Sequence, residues 1–150
     1  MPPPTTTSNG TAKLLNTVNF FTLAAPGIDQ IGMFMECHGL ELSFEVLQYA
    51  EGGNNESVHQ LPGRLTYPNL SLVRGMTDEK ALYEWFNQTR TKAELKEITL
   101  TLQNAKKATI RSWTFADAFP VRWTGPSFAA TSAGIATETL EIAHGGLKGV

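Results

Sequence analysis

The sequence of 150 residues has little of several features that mark common protein classes. Cys37 is its only cysteine, so no disulfide can form within the chain. No apolar run approaches the roughly 20 residues that a membrane-spanning helix needs, so we expect no membrane anchor. The N-terminus is rich in Pro, Thr and Ser and lacks the basic start and apolar core of a signal peptide. We therefore expect cytoplasmic synthesis and folding in a reducing environment.

Charge is scarce and unevenly distributed along the chain. Charged residues make up 17% of the sequence and the net charge is -2, which gives no electrostatic support to general nucleic-acid binding. Residues 1–63 carry one basic and six acidic residues, a net of -5, and residues 64–122 carry ten basic and six acidic residues, a net of +4. This division suits head-to-tail association between identical copies, with accidental clustering as the alternative.

Motifs for catalysis or ligand binding are also scarce. Cys37, His38 and His59 are too few for a zinc site, which usually has four closely spaced ligands. The glycine pairs at 52–53 and 145–146 do not continue into a phosphate-binding Gly-Lys-Ser/Thr pattern. We expect no enzyme activity, no cofactor and no bound metal.

The hydrophobic pattern is mainly that of β-strands. Two segments alternate cleanly, which predicts one buried and one wet face for each strand. The apolar positions are Leu40, Leu42, Phe44 and Val46 in the first segment and Ile98, Leu100 and Leu102 in the second. The polar positions between them are Glu41, Ser43 and Glu45, and Thr99, Thr101 and Gln103.

Further strands and turns are predicted along the rest of the chain. A first strand spans residues 17–23, and a tight turn at 104–107 leads into a strand that stops at Pro120. The final strand buries Leu140 and Ile142. Residues 1–12 are expected to form a flexible arm, and residues 13–150 a single domain in which residues 51–63 protrude as a loop or hairpin.

One helix is predicted over residues 77–88. Thr77 is a good N-cap, and Leu82, Trp85 and Phe86 fall on one apolar stripe. With seven to nine strands, most joined by short turns, the fold class is mainly β: two packed antiparallel sheets in a sandwich or small barrel.

Aromatic and histidine side chains offer a few candidate contacts. Trp85 and Trp113 lie among core positions, whereas Trp123 precedes Thr-Gly-Pro and is expected to be partly exposed, which suits a subunit contact. His144 either caps a strand or senses pH at an interface.

Several segments, in a fixed order, resemble the tail-tube proteins of contractile phages and phage-tail-like injection systems. Residues 36–46 are similar to the family's "evsGLe" strand, and residues 48–55 with 59–63 to its "EYREGG…KLPG" loop. Residues 67–78 resemble "ypnltLkrG.t", residues 82–86 the helix, and residues 115–147 the C-terminal half. Ala50 departs from the family, which usually has an arginine there.

The resemblance implies a structural subunit of an inner tube, assembled as stacked hexameric rings. Strands of neighbouring subunits would join into one barrel around a lumen, through which cargo, a tape-measure protein or DNA passes. Sheath, baseplate and tube-cap proteins would be partners in the particle. The alternative is a monomeric ligand-binding β-sandwich whose pocket uses Trp123 and the 51–63 loop.

Two sets of residues are predicted to serve the tube. The expected lumen-facing residues are Glu41, Ser43, Glu45, Thr99, Thr101 and Gln103. The expected subunit or ring contacts are Glu51, Gly52, Gly53, Asn54, Asn55, Glu56, His59 and Trp123.

Overall fold

The computed structural model describes residues 19–53, 57–127 and 134–150, which contain ten strands and one helix. The predicted flexible arm, residues 1–12, lies outside them. The strands are β1 (Phe20–Ala25), β2 (Ile28–Phe34), β3 (Glu36–His38), β4 (Ser43–Tyr49), β5 (His59–Thr66), β6 (Leu70–Gly75), β7 (Lys96–Gln103), β8 (Thr109–Thr124), β9 (Thr137–Ala143) and β10 (Leu147–Gly149). The helix, α1, is Ala81–Thr91. The short strands β3 and β10 raise the number above the seven to nine expected.

The predicted fold class is confirmed: the strands form two packed antiparallel sheets. The first sheet has the order β2-β1-β7-β8, with β10 also paired to β8, and the second has the order β8-β9-β6-β3. The two sheets share β8, whose 16 residues pair with β7 as far as Ala118 and with β9 from Phe119 onward. No closed barrel forms within the described part of this single chain.

The long strand β8 corrects the expectation of a strand end at Pro120. Pro120 lies opposite Ile142 within the strand, and the pairing register shifts directly after it, between Pro120 and Arg122. A proline cannot donate to a strand ladder, and an irregularity in the pairing is where that missing donor is tolerated. The strand therefore passes through the proline and ends at Thr124.

The core lies between the two sheets and under the helix. It is built from alternating apolar residues, as predicted for Ile98, Leu100, Leu140 and Ile142, all fully buried. Each such side chain contributes roughly 1.5–3 kcal/mol on burial. Trp85 is also buried, as predicted, and Leu82 and Trp85 attach α1 to this core.

The helix begins later than the sequence predicts, at Ala81 rather than Thr77. The Thr77 hydroxyl accepts a hydrogen bond from the backbone N–H of Glu79, which makes a local turn instead of a helix cap. The backbone carbonyl of Glu79 accepts a hydrogen bond from Arg74 Nη2, so it is held by the sheet. The helix then continues to Thr91, beyond the expected end at residue 88. No helix in the described residues is long and apolar enough to cross a membrane.

Strands β4 and β5 form a separate antiparallel pair that protrudes from the sandwich, which we call the hairpin. Residues 59–63, which were expected to protrude as part of a loop or hairpin over 51–63, belong to β5 of this hairpin. The predicted burial of one face of the 40–46 segment is wrong for the single chain. Its apolar residues Leu40, Leu42, Phe44 and Val46 are 39–59% exposed. Phe44 and Val46 lie on the hairpin, which no layer of the described chain covers, whereas Leu40 and Leu42 precede it and line a cavity with Trp113 and Leu147.

Candidate assembly surfaces

The base of the hairpin (residues 39–42 and 67–69) holds it against the second sheet. Gly39 has a positive φ of 91°, and a Cβ there would lie 2.1 Å from the Asn69 carbonyl oxygen, so only glycine fits this crossing. The Asn69 amide donates a hydrogen bond to Glu141 on β9 (2.9 Å). Above the base, the hydroxyls of Ser43 and Thr66 are hydrogen-bonded across the two strands (2.9 Å). The hairpin thus follows β3 and precedes β6 in the chain, and these contacts fix the position of its base against the second sheet.

Both faces of the hairpin carry apolar side chains that the chain leaves in solvent. Phe44 lies opposite Leu65, and Leu47 lies opposite Leu61. Every residue of β4 is exposed, including Phe44 at 59% and Leu47 at 50%. A two-stranded hairpin is marginally stable in water without further packing. Packing of these side chains against another surface would therefore stabilise the hairpin.

The predicted contact residues lie mostly at the tip of this hairpin. Glu51, Gly52 and Gly53 are exposed there, and His59 at the start of β5 lies 3.8 Å from the Glu51 carboxylate. Asn54, Asn55 and Glu56 lie outside the described residues.

The predicted lumen residues lie on two different parts of the fold. Glu41, Ser43 and Glu45 are exposed on the hairpin and its base. Thr99, Thr101 and Gln103 lie on β7 in the first sheet, facing away from the core residues Ile98 and Leu100. The structure does not bring the two sets together on one sheet.

The β7 residues belong to a wider hydroxyl face. In the strand register, Thr101 lies between Thr22 on β1 and Ser112 on β8, and Thr99 lies between Ala24 and Thr114. Because side chains of paired residues share a face, these two rows form an uncharged polar surface across three strands.

Trp123 is half-buried, and its contacts are within the chain. The indole N–H donates to Glu138 Oε2 (3.0 Å), and the ring meets Tyr83 of α1 edge-on at 5.4 Å. Its indole N–H is therefore already bound, which weakens the alternative of a ligand pocket built on Trp123.

Glu138 and its partner Arg74 were missed by sequence reasoning. Arg74 is 1% and Glu138 4% exposed, and Arg74 Nε donates to Glu138 Oε1 at 2.5 Å. The signal was present in the alternation, since Glu138 is in phase with Leu140 and Arg74 with Leu72, both on buried faces.

A second feature that the sequence did not reveal is a methionine groove, defined by Met33, Met35, Met76 and Phe20. It has a volume of about 480 Å³ and opens beside Arg74. Met33, Met35 and Met76 are each about half exposed. Flexible methionine side chains adapt to varied partners, so this groove is a further apolar surface available for contact.

The residues considered for metal or nucleophilic chemistry do not form a site. In the described residues, no group of three or more His, Cys, Asp or Glu side chains is placed to hold a metal ion. Burial raises the pKa of the Cys37 thiol to about 11, so this cysteine is protonated at neutral pH. His38 contacts Glu36 instead (3.1 Å).

Comparison with known proteins gives one matching family and several similar structures. The family model described as T4-like virus tail tube protein gp19 matches residues 17–148. A chain in the six-fold symmetrised cryo-EM structure of the anti-feeding prophage baseplate has a TM-score of 0.72 and 23% identity, over 99% of this chain and 96% of that one. No curated protein matches the sequence significantly.

Two further solved structures share more of the sequence. A chain in the extended PVC sheath-tube complex, an extracellular contractile injection system, has a TM-score of 0.71 and 28% identity over 85% of both chains. A chain in the cap that terminates the anti-feeding prophage tube has a TM-score of 0.67 and 33% identity over 81% of both chains.

Proposed function

The chain belongs to the family of T4-like virus tail tube proteins, and from this premise we propose that it forms hexameric rings that stack into a channel for cargo. It is a structural component of a phage tail or phage-tail-like injection particle. Its role in the proposal is mechanical: it has no catalytic activity and needs no cofactor.

The observation that carries the proposal is the uncovered hairpin. Its side chains Phe44, Leu47, Leu61 and Leu65 are 42–59% exposed, on two strands that no layer within residues 19–53, 57–127 and 134–150 covers. Burying one such side chain contributes roughly 1.5–3 kcal/mol, so covering several of them is a strong driving force for association. A neighbouring copy of the same chain is the partner that a repeating tube provides.

The edges of the sandwich support assembly through strands. β2 ends the first sheet and β3 ends the second, and no described strand pairs with the outer side of either. Unpaired strand edges are templates for pairing with another chain, and closure of a barrel removes them. In our proposal, strands of neighbouring subunits join across such edges into a barrel around the lumen.

The lumen wall is proposed to be wet and polar. The hydroxyl face containing Thr99, Thr101 and Ser112 carries no charge in its two central rows, so neither acidic nor basic cargo would be held by it. Gln103 extends this face, and the exposed Glu41, Ser43 and Glu45 contribute where the hairpin meets the channel. Cargo, a tape-measure protein or DNA would pass along this wall.

The remaining partners are those of the particle. The chain resembles chains found in a baseplate structure, a sheath-tube complex and a tube cap. We infer that its outer surface meets sheath proteins, and that its terminal rings meet baseplate and cap proteins. Glu51, Gly52, Gly53 and His59, with residues 54–56, would contact the adjacent ring.

Electron microscopy of the purified protein tests the proposal. We expect six-fold rings or hollow tubes, either spontaneously or after addition of baseplate proteins from the same particle. A protein that stays monomeric at all concentrations, alone and with those partners, would contradict it. Ligand-dependent stabilisation of such a monomer would instead support the binding-module alternative.

A further inference from the structure

His144 occupies the point where the hairpin joins the sandwich. It follows β9 directly, and its ring stacks on Tyr67 (4.8 Å between centroids, 20° between planes), the residue directly after β5. The ring also contacts Phe115 of the core, tilted at 60° with 4.7 Å between centroids. An aromatic layer of three rings thus connects the end of β5 to the centre of β8.

Both ring nitrogens of His144 are engaged, and together they define one neutral form of the ring. The Gly146 N–H can only donate, so Nδ1 must accept its hydrogen bond (3.2 Å). Nε2 therefore carries the proton and donates to the Pro68 carbonyl oxygen (3.2 Å). Pro68 belongs to the base of the hairpin, so the neutral ring fastens that base to the turn between β9 and β10.

We propose that His144 is a proton-sensitive latch on the hairpin: the neutral ring fixes its base, and a proton taken up at Nδ1 releases it. In the protonated ring Nδ1 carries a hydrogen and can no longer accept from the Gly146 N–H. Nε2–H can still donate to the Pro68 carbonyl, so in our proposal the release occurs when the ring turns away from the Gly146 N–H, which withdraws Nε2 from Pro68 and disturbs the stack on Tyr67. The consequence for assembly, that acid weakens tube formation, rests on the proposed function.

Several charged or titratable groups lie near the ring, and the Asp117 carboxylate lies beside Gly145. Across the elements packed against the ring, the charged or titratable groups are Tyr67 on the hairpin side, Asp117 on β8, Glu141 on β9 and Lys148 on β10. Glu141 is bound by Asn69 and Arg122, and Lys148 by Glu97. In the described chain the hydrogen bonds of the His144 ring go to Pro68 and Gly146 alone.

The direction of the pH effect follows from burial. Burial lowers the pKa of His144 below its usual 6.5, and the hydrogen bond to Pro68 opposes this only in part. The unfolded chain therefore binds more protons than the folded one just below pH 6.5, so folding stability rises with pH there. The contribution of neutral His144 to folding stability is complete above the pKa of the unfolded chain. It is lost as the pH falls through the lower pKa of the folded chain.

The other two histidines lie beside carboxylates and outside this aromatic layer. His38 lies 3.1 Å from Glu36, and His59 lies 3.8 Å from Glu51. They serve as controls for the latch.

Hydrogen exchange of the unassembled protein tests the latch without requiring tubes. After correction for intrinsic exchange rates, the Gly146 amide and the β5 amides should lose protection by about tenfold between about pH 7.5 and about pH 5. His144→Gln and His144→Phe, of which the second keeps an aromatic ring in the stack, should remove this pH dependence. His38→Gln and His59→Gln should keep it. A pH response that persists in both His144 variants, or unchanged wild-type protection, would overturn the latch.

Assembly is then measured over the same pH range. Wild-type tube formation should slow by about tenfold in acid, and the His144→Phe variant should show no such change. If no tubes form at any pH while the exchange result holds, the proposed function fails and the latch stands. If wild-type tubes form equally well in acid although Gly146 loses protection, the link between latch and assembly is wrong.

Discussion

Arg74 on β6 and Glu138 on β9 lie directly opposite each other in the strand register and form an ion pair in the interior of the sandwich. Each partner has a further contact: Arg74 donates to the Glu79 carbonyl, and Glu138 accepts from Trp123. The pair therefore joins β6 and β9 to the segment before α1 and to the Trp123 side chain at the end of β8. Its charges are compensated, and both carboxylate oxygens of Glu138 have a donor.

Removal of one partner should be strongly destabilising. In Arg74→Met the Glu138 carboxylate loses its cation in a site that solvent does not reach. Breaking a buried pair typically costs about 3–5 kcal/mol, so we expect a loss of this size in the free energy of unfolding. Urea denaturation of the monomer measures it.

The double variant Arg74→Met/Glu138→Leu separates charge from packing. It leaves no unpaired charge in the interior, since the other carboxylate beside Arg74, that of Glu79, is exposed, so most of the stability should return. Lys92→Ala is the exposed counterpart, because Lys92 pairs with Glu94 in solvent and such pairs contribute about 0–1 kcal/mol. A single Arg74→Met variant that unfolds like Lys92→Ala would show that the buried pair is unimportant for stability.

The sequence predicted the layers of the fold because alternation reports burial directly. Ile98, Leu100, Leu140 and Ile142 alternate with polar residues, and each is buried between the sheets. The turn at 104–107 was also predictable, since the Asn104 side chain accepts from two backbone N–H groups there.

The same rule failed where a strand has no sheet behind it. Phe44 and Val46 alternate as cleanly as the core strands do, but they lie on the hairpin and are exposed. An alternating pattern predicts that one face of a strand is apolar. It does not show whether that face is covered by the same chain or by another. The buried charges were missed although Arg74 and Glu138 are in phase with buried leucines. Burial of an unpaired charge is unfavourable, and the sequence alone does not show that these two residues pair.

The hairpin should matter for association and not for folding. Phe44→Ser and Leu61→Ser remove side chains that are 59% and 52% exposed in the single chain. We expect the free energy of unfolding of the monomer to change by no more than about 0.5 kcal/mol. If assembly buries these side chains, each loss of roughly 1.5–3 kcal/mol should raise the protein concentration needed for tubes by about tenfold to hundredfold.

Sedimentation of assembled tubes over a concentration series measures this effect. Leu95→Ser is the matched control, because Leu95 is also 59% exposed but lies between α1 and β7. An equal rise for Leu95→Ser would mean that the hairpin has no special role, and no rise for either hairpin variant would exclude it from the interface.

Charge should influence how rings meet. Glu51 is exposed at the hairpin tip, Glu56 follows it in the sequence, and Lys106 and Lys107 are exposed at the turn between β7 and β8. The variant Glu51→Lys/Glu56→Lys should slow polymerisation by about tenfold at low salt, with less effect at high salt, where exposed charges are screened. Light scattering during assembly follows the rate.

A charge exchange identifies the facing surface. Combining the reversed acids with Lys106→Glu/Lys107→Glu should restore the rate if the acidic tip meets this basic turn. Glu84→Lys on the helix is the control. It changes the net charge by the same amount as each of the two hairpin substitutions, but at a position away from the hairpin tip. Normal polymerisation of the Glu51→Lys/Glu56→Lys variant would reject electrostatic attraction between rings.

The wall of the channel can be identified by accessibility. A cysteine at Thr101 reports on the hydroxyl face of the first sheet, and one at Thr139 reports on the outward face of the second sheet. The background is Cys37→Ala, although the native thiol should react slowly because burial raises its pKa to about 11. A cysteine at Leu100 is the buried control, since that side chain is fully enclosed.

Bulky thiol reagents should modify Thr101→Cys in free subunits but not inside intact tubes. They enter a long channel only from its ends, so a lumen position is shielded although it remains wet. A small thiol reagent, which diffuses along the channel, should still reach Thr101→Cys, and this distinguishes a lumen wall from a dry subunit interface. Leu100→Cys should stay unreactive in both states or disrupt folding, because replacing the buried leucine leaves a cavity.

If Thr139→Cys shows the shielded pattern and Thr101→Cys reacts equally in both states, the second sheet lines the channel. The hydroxyl face would then belong to the outer wall, where the sheath approaches.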